Sequence, residues 1–274
     1  MYIVASDIGA DLPKQWVVGS FHKINQSILV DGKSVVVPFD DQSLANFYTS
    51  LAHSQVKTTA MQQQEILPQL QQLVDKEGKD VLFVGFSSRL SGTATQIATC
   101  AQQFSQSGKV NVCFWDSLQA SAGQALLVER ALQNRQKGLS MQQNVADLEQ
   151  NAHKIVFQIL VSDVDRFSRG GRAQNLHSTQ LLPILGLKRG CLYHTEGKFL
   201  SRDVAKAYWA QHICQHANTS QKLIVCHGSN AVECQQFAEQ LHNATGMQTA
   251  CCFANVLLGA HTGDNLVAVA YWAK

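Results

Sequence analysis

Val81-Leu82-Phe83-Val84-Gly85-Phe86, followed at once by Ser87-Ser88-Arg89-Leu90-Ser91-Gly92-Thr93, is the stretch that decides the fold. The first six residues are five apolar side chains and one Gly, a length and composition that suit a strand buried on both faces. The seven that follow carry four hydroxyls and a Gly, and a helical pattern runs on from Thr93 to Phe104. Strand, polar loop and helix in that order make a βα unit. Such a unit aims its loop hydroxyls and the free N–H groups of the helix at one spot. In an open α/β sheet that spot lies in the crevice at the carboxyl ends of the strands, where ligands bind. An ordinary helix cap needs one of these hydroxyls, so the loop reads as a ligand site where an anion is welcome.

Outward from this unit the pattern repeats. Tyr2–Ser6 reads as a strand ending at Asp7, and Val110–Trp115 as another ending at Asp116. Helices are expected over 42–53, 64–77 and 120–136. Strands alternating with helices of 10–15 residues indicate a parallel sheet flanked by helices. The second half differs. Lys154–Val161 reads as a strand, and Arg166, Arg169, Gly170, Gly171 and Arg172 as a basic loop able to clamp a phosphate or dock an acidic partner. The runs 181–187, 190–195 and 198–200 are short and separated by turns, as in antiparallel hairpins. Helices follow over 203–216 and 231–241 around a strand at 222–226. His261-Thr262-Gly263 reads as a turn between late strands, the last of them Leu266–Trp272. The expected architecture is α/β with two domains: a parallel α/β domain over 1–160 and an α/β domain with a mixed sheet over 161–274.

Composition narrows the function. Of 274 residues 45% are hydrophobic and 15% charged, which excludes a disordered chain. A net charge of +2 gives no electrostatic footprint for nucleic acid. The longest late apolar run, Leu266–Ala273, is eight residues, against the ~20 that span a bilayer. No signal segment is read at the start, so a cytoplasmic location is expected, with no stable membrane insertion. The eight cysteines include no C-x-x-C and fall mostly in apolar stretches, as reduced thiols do; the adjacent Cys251 and Cys252 leave room for a vicinal redox pair. His212 and His216 share a helix face without a third ligand beside them, so no metal site is assigned. No G-x-G-x-x-G, no phosphate-binding P-loop and no G-x-S-x-G elbow occurs. No cofactor is expected.

Several motifs taken together resemble the DegV-like fatty-acid-binding proteins. Ser6-Asp7-Ile8-Gly9-Ala10-Asp11-Leu12-Pro13 is similar to the family's opening (T/S)-D-S-x-A-D-L-P, and Thr58-Thr59 to its T-S-Q-P-S loop. Ser87–Thr93 resembles S-S-x-L-S-G-T. Trp115-Asp116-Ser117 with Ala120-Ser121-Ala122-Gly123 is similar to D-S-x-x-A-S-x-G. Arg169-Gly170-Gly171-Arg172 resembles K-G-G-R, and Gly259-Ala260-His261-Thr262-Gly263 the late G-x-H-x-G-P-G, with Asp264-Asn265 where the family has Pro-Gly. The resemblance spans essentially the whole chain.

It implies a non-enzymatic carrier that holds one long-chain fatty acid between two domains. The carboxylate would be held by Thr58 or Thr59, by Ser88 or Ser91 with the Gly92 backbone, and by His261. In FakB-type members a separate fatty-acid kinase phosphorylates that carboxylate for phospholipid synthesis. Arg172 and Arg202 are then candidates for phosphate or partner contacts. The energetics allow it: a sixteen-carbon acid offers about fifteen apolar carbons, worth roughly 12 kcal/mol of gross transfer at ~0.8 kcal/mol each. The head group needs donors, since an unpaired buried charge is costly. The competing reading is a serine-dependent acyl hydrolase in which Ser91 and His261 act with Asp7 or Asp116.

Overall fold

The structure, a computed structural model, describes residues 2–37, 40–51, 53–106, 108, 110–161, 163–169 and 181–274. The chain opens with β1 (Ile3–Asp7), then β2 (Phe21–Ile24), β3 (Ser27–Val30), β4 (Lys33–Val36), α1 (Asp41–Leu51), β5 (Val56–Thr58) and α2 (Gln63–Glu77). It continues through β6 (Val81–Gly85), α3 (Gly92–Gln106), β7 (Val112–Asp116), α4 (Ser121–Gln136) and α5 (Met141–Asn151). Next come β8 (Ile155–Leu160), α6 (Val164–Arg169), β9 (Leu182–Lys188), β10 (Cys191–Phe199) and α7 (Arg202–His216). The chain ends with β11 (Lys222–His227), α8 (Ala231–Thr245), β12 (Gln248–Phe253), α9 (Val256–Thr262) and β13 (Val267–Trp272).

The α/β architecture is as expected. Strands β2-β1-β6-β7 form a sheet that is parallel throughout, with β1 and β6 fully buried at its centre. Strands β10-β9-β8-β13-β11-β12 form a mixed sheet in which only β11 and β12 run parallel. Ile155 to Leu160 of β8 pair with β13, so the strand read at 154–161 lies inside the six-stranded sheet. The run 166–172 was expected as a loop, but it begins as α6; Gly170, Gly171 and Arg172 lie outside the described residues. A small antiparallel sheet, β4-β3-β5, was not anticipated, because its strands of three or four residues are too short to show alternation.

Helix α4 sits between the two large sheets. It packs on β1 and β6 on one side and on β8, β11 and β13 on the other. Its residues from Ser121 to Glu129 are all buried, the all-round burial expected of a helix inside a core. Small side chains let it approach closely: a Cβ at Gly123 would come within 3.0 Å of Phe157 Cβ on β8. One apolar cluster therefore runs from Val4, Leu82 and Val84 through Ala125 and Leu126 to Phe157, Ile159 and Ala268. The candidate site lies along this seam.

Candidate functional site

Asp7 ends β1 and organises the sheet's carboxyl edge. Its Oδ1 accepts hydrogen bonds from Gly9 N at 2.9 Å and Gln124 Nε2 at 3.2 Å, and its Oδ2 from Phe86 N at 2.7 Å. Burial pushes the carboxyl above its usual range, and the three donors oppose that shift. The loop after β6 is fixed through Ser87, whose hydroxyl donates to Gly190 O at 3.0 Å. Ser91 caps α3, its Oγ accepting from Thr93 N at 3.3 Å. Thr93 Oγ1 in turn accepts from Met61 N at 3.0 Å, which binds this loop to the one after β5.

Thr58 closes β5, and Gln26 Nε2 holds the next residue by donating to Thr59 O at 2.7 Å. His261 arrives on α9, a helix where a turn between strands was expected. Asn255 starts that helix: its Oδ1 accepts from Leu258 N at 3.0 Å while its Nδ2 donates to Gly9 O and to both oxygens of Asp11. Tyr48 packs against it at Gly259, with its hydroxyl 3.1 Å from both Ala254 O and Asn255 O. The outcome is a contact of 3.1 Å between His261 Nε2 and Thr58 Oγ1.

The loops and helix held in this way border a cavity of about 990 Å³, its open mouth included. Thr58, Thr59, Ser91, Gly92 and His261 all line it, and each is partly or fully exposed. The rest is largely apolar: Phe86 and Leu90 from the β6 loop, Phe157 and Ile159 from β8, Phe167 from α6, Leu187 and Leu192 from the β9–β10 hairpin. Phe157, Ile159, Phe167 and Leu187 are buried, whereas Phe86, Leu90 and Leu192 are half-buried. Asp7, Gln26, Thr93 and Ser121 add polar atoms to the wall. None of these four had been picked out as a head-group ligand, although Asp7, Thr93 and Ser121 each lie in a motif and only Gln26 carried no signal.

Other expected residues fall elsewhere. Ser88 is exposed, outside the cavity lining, and its N–H donates to the Asp116 carboxylate at 3.3 Å. Of the two serines, Ser91 lines the cavity and Ser88 does not. Arg202 is away from the cavity: its guanidinium grips both oxygens of Glu233, at 3.1 and 2.7 Å, and donates to Asn265 O at 2.8 Å. Arg172 lies outside the described residues. Asp264 turns to Ser229, whose hydroxyl is 3.2 Å from its carbonyl and 3.4 Å from its Oδ2, so its charge is directed off the cavity wall. A hydrolytic relay would need His261 on Ser91 and a carboxylate. His261 Nε2 meets Thr58, Asp7 is engaged with Gly9, Phe86 and Gln124, and Asp116 accepts from Ser88 and Leu118. The His212 and His216 rings stack at 4.1 Å, and among the described residues no three His, Cys, Asp or Glu side chains are grouped to hold a metal. Also among the described residues, no helix is long and apolar enough to cross a membrane.

A family model for uncharacterised proteins of the DegV family matches residues 3–274. The chain belongs to the DegV family. A DegV domain-containing protein of Clostridium perfringens is 21% identical over 279 residues, covering 98% of this chain and 96% of the relative. A DegV lipid-binding protein from Thermotoga maritima has the same fold, with a TM-score of 0.88 at 18% identity over 99% of this chain and 98% of that one. DegV from Bacillus subtilis, described as a fatty-acid-binding protein, gives 0.85 at 18% identity, covering 100% and 99% of the two chains. A stearic-acid-binding protein from Eubacterium ventriosum gives 0.83 at 18%, again over 100% and 99%.

Proposed function

We propose that this DegV-family chain binds one long-chain fatty acid, with the tail in the deep apolar end of the cavity and the carboxylate at its mouth. The observation that carries this reading is the division of the cavity wall. Thr58, Ser91 and His261 line it as partly exposed polar residues, and Phe157, Ile159, Phe167 and Leu187 as buried apolar ones. Hydroxyls, an imidazole and the Gly92 backbone supply hydrogen bonds to a carboxylate without a fixed cationic partner, which leaves an oxygen free to react. The fatty-acid-binding structural neighbours support the same class of ligand. The arrangement favours a carrier that does no chemistry itself.

Because the head group sits at the mouth, a second protein has access to it. The finer reading is that the carrier presents the carboxylate to a separate fatty-acid kinase for conversion to an acyl phosphate. Native mass spectrometry of the purified chain, followed by an organic extract, tests the binding: one acyl chain per polypeptide is expected, and an empty protein that takes up no added palmitate or oleate would remove the proposal. Incubating the loaded protein with a fatty-acid kinase and ATP tests the second step, where absence of acyl phosphate restricts the function to binding.

A further inference from the structure

Strand alternation decides which cysteines meet. Cys251 and Cys252 are adjacent in sequence, but successive side chains of a strand point to opposite faces of its sheet. Cys251 packs with the core that contains Cys234 and Phe237, and Cys252 with the core around α4. Across the ladder from Cys252 stands Cys226, because β11 and β12 run parallel with these two residues in register. Their Sγ atoms are 3.7 Å apart. Neighbouring strands lie roughly 4.7–4.9 Å apart, inside the roughly 4.4–6.8 Å Cα separation of disulfides. Side-chain rotation has only to draw the sulfurs in from 3.7 Å.

The two thiols differ in access. Cys226 is fully buried, and burial together with the neighbouring Cys252 pushes its thiol well above the usual range. Cys252 is half-buried and lines a second cleft, about 1410 Å³ with its mouth included, alongside Lys23, His227 and Phe253. We propose that Cys226 and Cys252 form an oxidisable dithiol, in which a peroxide entering this cleft oxidises Cys252 and Cys226 then closes a disulfide. In the first step the Cys252 sulfur takes one oxygen from hydrogen peroxide, giving a sulfenic acid and one water. In the second, the Cys226 sulfur attacks that sulfur, the S–O bond breaks, and the hydroxide leaves with the Cys226 proton as a second water. Two thiols lose two electrons and two protons, and one peroxide becomes two waters.

The disulfide reaches the main cavity through Asp11. Reduced Cys252 points its Sγ at Asp11 O, 3.5 Å away. Turning toward Cys226 withdraws that contact from a residue whose carboxylate holds Asn255 Nδ2 at 3.0 and 3.1 Å, and Asn255 caps α9. Oxidation therefore loosens the start of the helix that carries His261. Nothing in the thiol geometry depends on what the cavity holds.

Dilute full-length protein treated with hydrogen peroxide, alkylated and digested without reductant tests this. A peptide cross-linked between Cys226 and Cys252 is expected, lost in Cys252→Ser and retained in Cys251→Ser. A link between Cys234 and Cys251 or between Cys251 and Cys252 overturns the pairing. So does sulfinic acid at Cys252 beside a free Cys226, or no oxidation at either thiol. Hydrogen exchange over residues 255–262 should quicken several-fold in the cross-linked protein and stay unchanged in peroxide-treated Cys252→Ser. Unaltered exchange in the cross-linked form would overturn the coupling to α9.

Discussion

Thr58 and His261, 203 residues apart in the chain, meet through a contact of 3.1 Å between Oγ1 and Nε2. One ends a three-residue strand and the other rides the last turn of a seven-residue helix. Both are half-buried and line the cavity, so a bound carboxylate would take up hydrogen bonds that the pair otherwise exchanges with each other. A hydrogen bond to a charged group contributes about 1.5–3 kcal/mol. Thr58→Val and His261→Ala should each weaken fatty-acid affinity roughly ten- to hundredfold, as read by displacement of a fluorescent fatty acid. Affinity unchanged in both variants would remove the pair from the head-group site.

Ser88 and Ser91 give a sharper contrast, since they share one loop and one chemistry. Ser91 lines the cavity and Ser88 does not. Ser91 also caps α3, so replacement by Ala mixes a stability loss with any binding loss. Ser91→Gly avoids this, because Gly at a cap costs only about a few tenths of a kcal/mol. Ser91→Gly should lose acyl retention while Ser88→Ala keeps it. The opposite ranking, measured as lipid per protein after extraction, would reassign the carboxylate.

Gly259 carries a packing constraint. A Cβ there would fall 2.6 Å from Tyr48 Cε1 and 2.7 Å from its hydroxyl oxygen, on a ring that is completely buried. Tyr48 also bonds to Ala254 O and Asn255 O, so it cannot move aside without releasing the start of α9. Gly259→Ala should cost about 1–3 kcal/mol, as overpacking does, and lower the melting temperature and the fatty-acid affinity together. A variant that melts with the parent and binds as well would show that α9 is not held by this ring.

The central βα unit was readable because β6 is buried on both faces and its loop is chemically distinctive; no partner strand was needed to recognise it. β5 was not readable, since Val56-Lys57-Thr58 is too short to display a period. α9 escaped for a different reason. Val256-Leu257-Leu258-Gly259-Ala260 is an apolar run that a strand would also accept, and the signal for a helix is the Asn255 cap, whose geometry exists only once Asp11 and Gly9 are beside it. The hydroxyls of the 87–93 loop marked a site, yet which of them faces inward depends on how the loop anchors to Gly190 and Gln119, more than thirty residues away. Arg202 was a candidate for phosphate or partner contacts because its own partner, Glu233, is on the next helix, out of reach of local reading. In each case local chemistry was legible and long-range register was not.

That Arg202–Glu233 pair has a pH signature of its own. Burial pushes the Glu233 carboxyl up, but Arg202, Asn230 and Lys206 outweigh it and bring the group from 4.5 down to about 2. Lys206 Nζ lies 2.8 Å from Glu233 Oε1, completing a clamp that also holds Asn265 O through Arg202. A depressed carboxyl stabilises the fold above its unfolded value and loses that contribution as the pH falls through the folded one. The stabilisation is then complete above about pH 5 and disappears between about 4.5 and 2. At roughly 1.4 kcal/mol per unit, less an allowance for partial exposure, it amounts to about 2–3 kcal/mol. Glu233→Gln should therefore be destabilised by about that much at pH 7 and approach the parent's stability near pH 2–3, as followed by urea unfolding at each pH. A deficit that stays constant across the range would mean that the loss is one of packing, and that the charge of Glu233 does not hold Arg202 in place.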